Sequence, residues 1–369
     1  MKVLLLTIDF FSKGGIQRYS RYQYKALVDL YGKENIFVFS LSPKSLDNCF
    51  EENIEVVYTG GGTSLKNKIF YIFKVIDFIK KENINIVINT HVKLSFISYI
   101  SKYFYKIKYF TNVYGLEIWS GLTFIDKFGL LKSDKLIGDC NFILQYIEKH
   151  FKYDNNKLNL LYDPVDINVF KKKSKNLSLI EKYNIPTDKF IIGTIGRLER
   201  NKGHEVIIKS LNKLDKNVIY VIVGGGFMIN SFRKLVDDLK LNDRVFFTDR
   251  VSDNELIEFY NIMDLIALLS VLDNGEGEGL PLGLIEASSC KIPILAGNED
   301  GSYEAISDKY PNGFRVNPRN IDEIVEKIQF YIDNPEVRKE HAESGRKFVI
   351  EEFEYNKFKW KLKKILNEH

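Results

Sequence analysis

The chain has 369 residues, 45% of them hydrophobic and 28% charged, with a net charge of +4. That length makes two domains of ordinary size, the composition is that of a soluble globular protein, and the small net charge argues against a dedicated nucleic-acid binder. Cys49, Cys140 and Cys290 are far apart and odd in number, which argues against a disulfide framework or a zinc spacing and points to a reducing compartment.

The N-terminus starts directly on a strand over residues 2–8, with no signal peptide ahead of it. A loop at 12–15 and a helix over 16–30 follow. Further apolar runs predict strands at 36–40, 54–58, 84–89, 107–113, 135–138 and 158–162, with helices between them, notably 65–81 and 140–150. The stretch YDPVDINVFKKKSK has the proline, aspartates and lysine cluster of a linker near 165–175. The pattern then restarts. Strands are expected at 190–195, 218–223, 245–248, 265–269 and 292–295, and helices at 204–214, 229–239, 253–262 and 321–332. Strands alternating with helices imply parallel sheets with crossover helices. The expected fold is α/β, with two Rossmann-like doubly wound domains, 1–165 and 166–350, facing each other across a cleft, and a C-terminal helix over 351–369. Ligands of such sheets bind outside the carboxyl ends of the strands. No apolar run reaches the length of a membrane span; the best, 69–79, is interrupted by Lys74 and Asp77.

Two stretches carry chemistry. In GEGEGLPLGLIE, residues 275–286, Glu278 and Glu286 are separated by seven residues. An apolar run precedes them and a helical pattern follows, which gives strand, glycine loop, helix. Backbone N–H groups and a helix start favour an anion there, while the carboxylates can reach the hydroxyls of a ligand. In GTIGRLERNKGHE, residues 193–205, Arg197 and Lys202 lie in a loop just past a strand, so a diphosphate could rest on Gly196 and the helix start beyond. Isolated surface cations usually do nothing; these two share a sheet edge with the two acids. Gly224–Gly226 is a weak nucleotide signal and reads first as a tight turn. His204 reads as a solvated helix cap, His150, His341 and His369 as surface residues, and Cys140 and Cys290 as core fillers. No G-x-G-x-x-G follows the first strand, which speaks against a dinucleotide-dependent dehydrogenase.

GR-x4-KG followed by E-x7-E, with IVGGG, NDRVFFTDRVSDNELIEFYNIMDL, GNEDGSYE, KGGIQR and VYGLEIW around them, resembles the retaining GT-B glycosyltransferases of family 4. The similarity covers nearly the whole chain and is most specific in the C-terminal half. It implies that Arg197 and Lys202 neutralise a donor diphosphate, that Glu278 contacts the transferred sugar, and that Glu286 holds the ribose. The backbone at Gly279, Leu280, Pro281 and Leu282 would approach sugar and phosphates, Gly15 would let the first domain's backbone approach the diphosphate, and Tyr114 and Glu117 would contact sugar or acceptor. It also implies that the last helix packs on the first domain. Tyr114 stands where many members have histidine, Asp163 where asparagine is common, and Gly225 where an acid or polar residue is common.

The resemblance implies a hexosyl or N-acetylhexosaminyl transfer from a nucleotide diphosphate sugar, UDP-linked by preference. The acceptor would be a saccharide or lipid-linked saccharide, in bacterial surface polysaccharide assembly at the cytoplasmic face of the membrane. No D-x-D pair offers a metal to the phosphates, so neither metal nor other cofactor is expected. A nucleotide-sugar epimerase on the same fold and a non-catalytic sugar-nucleotide-binding protein remain alternatives. Residues 1–165 carry 22 Lys+Arg against 16 Asp+Glu and the rest 31 against 33. The lysine–aromatic stretches LKNKIFYIFKVIDFIKK and SKYFYKIKYF read first as a helix and a strand with ordinary buried aromatics and solvated lysines; the alternative, which that bias suits, is peripheral contact with anionic lipid.

Overall fold

The computed structural model describes residues 1–12, 14–44, 54–273 and 277–367. Cys49, Gly275, Glu276 and His369 lie outside the described residues. The chain divides into two compact units, 1–164 with 355–369, and 165–354.

Among the described residues of the first unit seven strands form one sheet: β1 (Val3–Thr7), β2 (Ile36–Ser40), β3 (Tyr58–Thr59), β4 (Ile86–Asn89), β5 (Lys108–Val113), β6 (Lys135–Gly138) and β7 (Leu158–Leu160). Their order is β3-β2-β1-β4-β5-β6-β7, and the pairs are parallel. The second unit holds β8 (Phe190–Ile195), β9 (Val218–Val223), β10 (Val245–Phe247), β11 (Leu265–Leu268), β12 (Ile294–Gly297) and β13 (Gly313–Val316). They are again parallel, in the order β10-β9-β8-β11-β12-β13. Helices cover both faces of such sheets, so their strands read as unbroken apolar runs; every residue of β9, VIYVIV, is buried. Each order reverses direction once, between β1 and β4 and between β8 and β11. The loops that leave the carboxyl ends there diverge and open a crevice.

Some expected elements differ. The strand placed at 54–58 pairs only at Tyr58–Thr59, because Glu55 and Val57 face solvent at the sheet's edge. The strand placed at 292–295 runs Ile294–Gly297. Lys291 turns left-handed at φ 60, the Ile292 N–H closes the preceding helix on Ala287 O, and Pro293 has no N–H to give a ladder. SKYFYKIKYF is not one strand. Its first half ends the helix Ser95–Tyr105, Lys106 breaks that helix at φ 54, and β5 begins at Lys108. The helices Ser95–Tyr105, Phe124–Leu131 and Pro335–Glu352 and the strand β13 were not legible as separate elements.

Residues 165–175 have little regular structure but are held by the second unit. Arg346 donates to the carbonyls of Phe170 and Ile167 at 2.7 and 2.8 Å, and the Lys173 N–H donates to Asn261 Oδ1 at 2.6 Å. The last helix, Tyr355–Asn367, belongs to the first unit. Its Phe358, Leu362, Ile365 and Leu366 enter the cluster of Val3, Leu5 and Leu27, Phe358 meets the Tyr19 ring edge-on at 5.7 Å, and Tyr355 Oη donates to Asp29 at 2.8 Å. Leu362→Ala should therefore destabilise the first unit by about 2–5 kcal/mol, the range for a buried leucine whose site only partly collapses. Urea unfolding followed by near-ultraviolet circular dichroism would measure it.

Candidate functional site

The second unit's site is assembled at its switch point from the loops after β8, β11 and β12. The chain leaves β8 at Gly196, where a Cβ would meet nothing within 4 Å. The turn Gly224–Gly226 packs against this loop: a Cβ at Gly224 would lie 2.0 Å from Gly196 O, and one at Gly226 2.4 Å from Leu198 O. That close approach gives both glycines a structural reason. Farther on, Gly203 turns left-handed at φ 76 against Leu269 O, and the Val271 N–H donates to Asn201 O at 2.9 Å. The loops after β8 and β11 are thus tied by backbone.

Across this tie Lys202 Nζ stands 2.7 Å from Glu278 Oε1, both side chains largely shielded. Asp300 holds Glu278 from the other side: its carboxylate accepts from Glu278 N at 2.8 Å and from Ser302 N at 3.0 Å. Burial raises the Asp300 carboxyl above its ordinary value, and the nearby Glu278 charge adds to the rise. The neighbouring Glu299 is lowered, chiefly by its hydrogen bonds from Arg319. Gly279 and Leu280 continue the Glu278 loop, which enters the helix Leu282–Ser289 through Pro281. Glu286 lies one turn into that helix, buried, and accepts from Tyr260 Oη at 2.7 Å.

Of the expected donor residues, Lys202 and Glu278 meet directly, with Gly279 beside them. Arg197 is exposed, and its guanidinium sits 2.7 Å from Glu199. Glu286 is on the helix and engaged by Tyr260. Asp300 and Tyr260 escape a reading of the sequence, because each acts on a residue distant in the chain. Asp300 leaves one trace, its place just past a strand in GNEDG. His204 is not a solvated cap. It is wholly buried, with Nδ1 2.9 Å from Tyr220 Oη, because the helix it opens lies against β9.

In the first unit, Tyr114 follows β5. Its Oη accepts from Asn112 Nδ2 at 3.0 Å, its N–H donates to Glu117 Oε1 at 2.7 Å, and Gln23 and Asn112 hydrogen-bond each other. Burial raises the Glu117 carboxyl. Asp139 and Asp163 lie close enough to raise the Tyr114 hydroxyl further, after burial. Gly115 has φ 126, and a Cβ there would strike the Trp119 ring at 2.6 Å. Gly15 opens the helix Gly15–Tyr31, and a Cβ there would meet nothing within 4 Å. Cys140 and Cys290 are buried, with burial pushing the Cys290 thiol up to about 12. His150 is exposed, and His341 is half-buried 2.8 Å from Tyr331 Oη. Among the described residues no group of His, Cys, Asp or Glu side chains is placed to hold a metal ion, and no helix is long and apolar enough to cross a membrane.

Residues 176–348 match the family described as glycosyl transferases group 1. An uncharacterized glycosyltransferase of Methanocaldococcus jannaschii is 25% identical over 350 residues, 93% of this chain and 83% of the relative. A GDP-mannose-dependent alpha-(1-6)-phosphatidylinositol monomannoside mannosyltransferase of Mycobacterium tuberculosis is 28% identical over 178 residues, 47% of this chain. The chain spans 46% of that relative's length. The crystal structure of Anabaena HepE in complex with UDP superposes with a TM-score of 0.82 at 16% identity, covering 99% of each chain. The fold is GT-B.

Burial holds the His204 imidazole down at about 4, below its ordinary 6.5. The unfolded chain therefore takes up this proton first as pH falls, so the stability is full above about 6.5 and is lost toward 4. The stability lost between about pH 7 and pH 5, measured by thermal unfolding, should be smaller by about 2 kcal/mol in His204→Asn than in the unsubstituted protein.

Proposed function

The chain carries a group 1 glycosyl transferase domain over residues 176–348, and from that premise we propose that it is a retaining glycosyltransferase that moves a hexosyl or N-acetylhexosaminyl unit from a UDP-sugar to a saccharide or lipid-linked saccharide. The observation that carries this reading is the 2.7 Å pair of Lys202 and Glu278 at the switch point of the second sheet. Glycosyl transfer puts positive charge on the sugar ring and negative charge on the departing diphosphate. A lysine and a glutamate held side by side meet both: the ammonium faces the leaving phosphate and the carboxylate a hydroxyl of the transferred sugar. Because each fixes the other before the ligand arrives, little ordering is left to the reaction step. Arg197, exposed and one residue past Gly196, swings from Glu199 to the phosphates, and Glu286 holds the ribose. The mechanism is front-face departure and attack, with the donor phosphate taking the acceptor proton. The cations do the work of a metal.

The UDP preference has the support of the UDP complex of HepE, and the lipid-linked acceptor that of the mannosyltransferase relative. The first unit takes the acceptor through Tyr114 and Glu117. Lys202→Ala and Glu278→Ala should each lower kcat by about 100- to 1000-fold, the worth of one well-placed group at a developing charge. The assay is UDP release from a panel of UDP-sugars, and activity should persist in EDTA. Near-normal rates in both variants, or complete loss in EDTA, would sink the assignment.

Contact with anionic lipid is part of the proposal. The helix Leu65–Glu82 buries Tyr71, Val75 and Ile79 and leaves Ile69, Phe70 and Phe73 exposed among lysines, Phe73 at 67%. Such a face lies in a membrane interface with its aromatic rings down. The protein should co-sediment with anionic vesicles at low salt and not with neutral ones, and Phe70→Ser with Phe73→Ser should lose the interaction.

A further inference from the structure

His204 has no part in the proposed chemistry, yet it is wholly buried beside the residues that do. Its ring ends a chain of hydrogen bonds that crosses three strands. Thr194 of β8 donates to Ala267 O of β11 at 2.6 Å, Tyr220 Oη of β9 lies 2.8 Å from Thr194 Oγ1, and His204 Nδ1 lies 2.9 Å from Tyr220 Oη. Each hydroxyl has one proton. Thr194 spends its proton on a carbonyl, which can only accept, so Tyr220 must donate to Thr194 and can only accept from His204. The chain thus sets the imidazole as the Nδ1–H tautomer and fixes its plane. The Phe232 ring, 5.3 Å away, closes one side.

The imidazole stands at both ends of the Arg197–Lys202 loop. Lys202 is two residues before it in sequence, with Gly203 between them pressed on Leu269 O. The Arg197 backbone is near enough to favour the ring's charged form, against the larger effect of burial. The loop's backbone bonds to Gly225, Met228 and Val271 and its one buried side chain, Leu198, hold it in part, and the ring held by three strands is a further support beside it.

We propose that His204 is the positioning residue of the donor-diphosphate loop, transmitting the register of β8, β9 and β11 to Arg197 and Lys202. This rests on the transferase reading above. It gives His204 and Tyr220 a shared role that neither has through contact with a ligand. Without the chain the strands remain, but the loop samples other arrangements and the Lys202–Glu278 pair is populated only part of the time.

The test compares His204→Phe and Tyr220→Phe, which break the chain at successive links while keeping a ring in place, with Phe232→Leu, which loosens the same pocket without touching the chain. His204→Asn restores an N–H near the Nδ1 position. Amide hydrogen exchange over residues 197–202 should speed up about tenfold in the two chain-breaking variants. Their kcat/KM for the UDP-sugar should fall by about tenfold or more per folded molecule. Phe232→Leu should leave both unchanged even if its melting temperature falls, and His204→Asn should recover part of each. Unaltered exchange in His204→Phe and Tyr220→Phe overturns the proposal, and so does an equal effect in Phe232→Leu. If the unsubstituted protein turns over no UDP-sugar, the transferase reading fails, and the exchange measurement still decides whether His204 positions the loop.

Discussion

The Lys202–Glu278 pair is the constraint on which the second unit's site depends. A lysine and a glutamate from loops after different strands can meet at 2.7 Å only if both loops are fixed, and each is fixed by a different device. The Lys202 loop is held by backbone, through Gly203 against Leu269 and Asn201 against Val271. The Glu278 loop is held by a side chain, Asp300, whose carboxylate grips two N–H groups. An ion pair in such a place adds little to stability once desolvation is counted. Its value is geometric, since it keeps two flexible side chains in one arrangement.

The same logic explains the glycines. Gly203, Gly224 and Gly226 are sites where a carbonyl approaches so closely that a Cβ would overlap it. Sequence motifs rich in glycine are commonly read as ligand cradles, and at Gly196 a Cβ would meet only open space. The Gly224–Gly226 turn acts one step removed, by letting the β9 loop pack beneath the β8 loop.

Much of the fold is legible in the sequence because parallel strands covered on both faces are forced to be apolar throughout. FIIGTI, VIYVIV and LIAL stand out against the lysine-rich background for that reason. Edges are harder: at β3 one face meets water and the pattern dissolves, and at Lys291–Pro293 a helix closure imitates the start of a strand. The acid and basic residues of the site are legible as types, since Arg197, Lys202 and Glu278 fall in loops after strands and Glu286 in the helix that follows. Their pairing is not legible. Which cation meets which acid depends on Asp300 and Tyr260, and no local periodicity encodes a contact between separate loops. His204 shows the limit most plainly. A histidine after Lys-Gly at a helix start looks solvated, and only the Tyr220 hydroxyl on another strand makes its burial tolerable.

The return of the last helix to the first unit has a consequence for synthesis. A ribosome delivers residues 165–354 as one uninterrupted piece, so that unit has every strand it needs as soon as it emerges. The earlier-made unit must wait for Phe358 and Leu362 to close its apolar layer over Val3 and Leu5. The order of completion is therefore the reverse of the order of translation, and the nascent N-terminal half is the part that needs shielding from aggregation until the final turn of helix arrives.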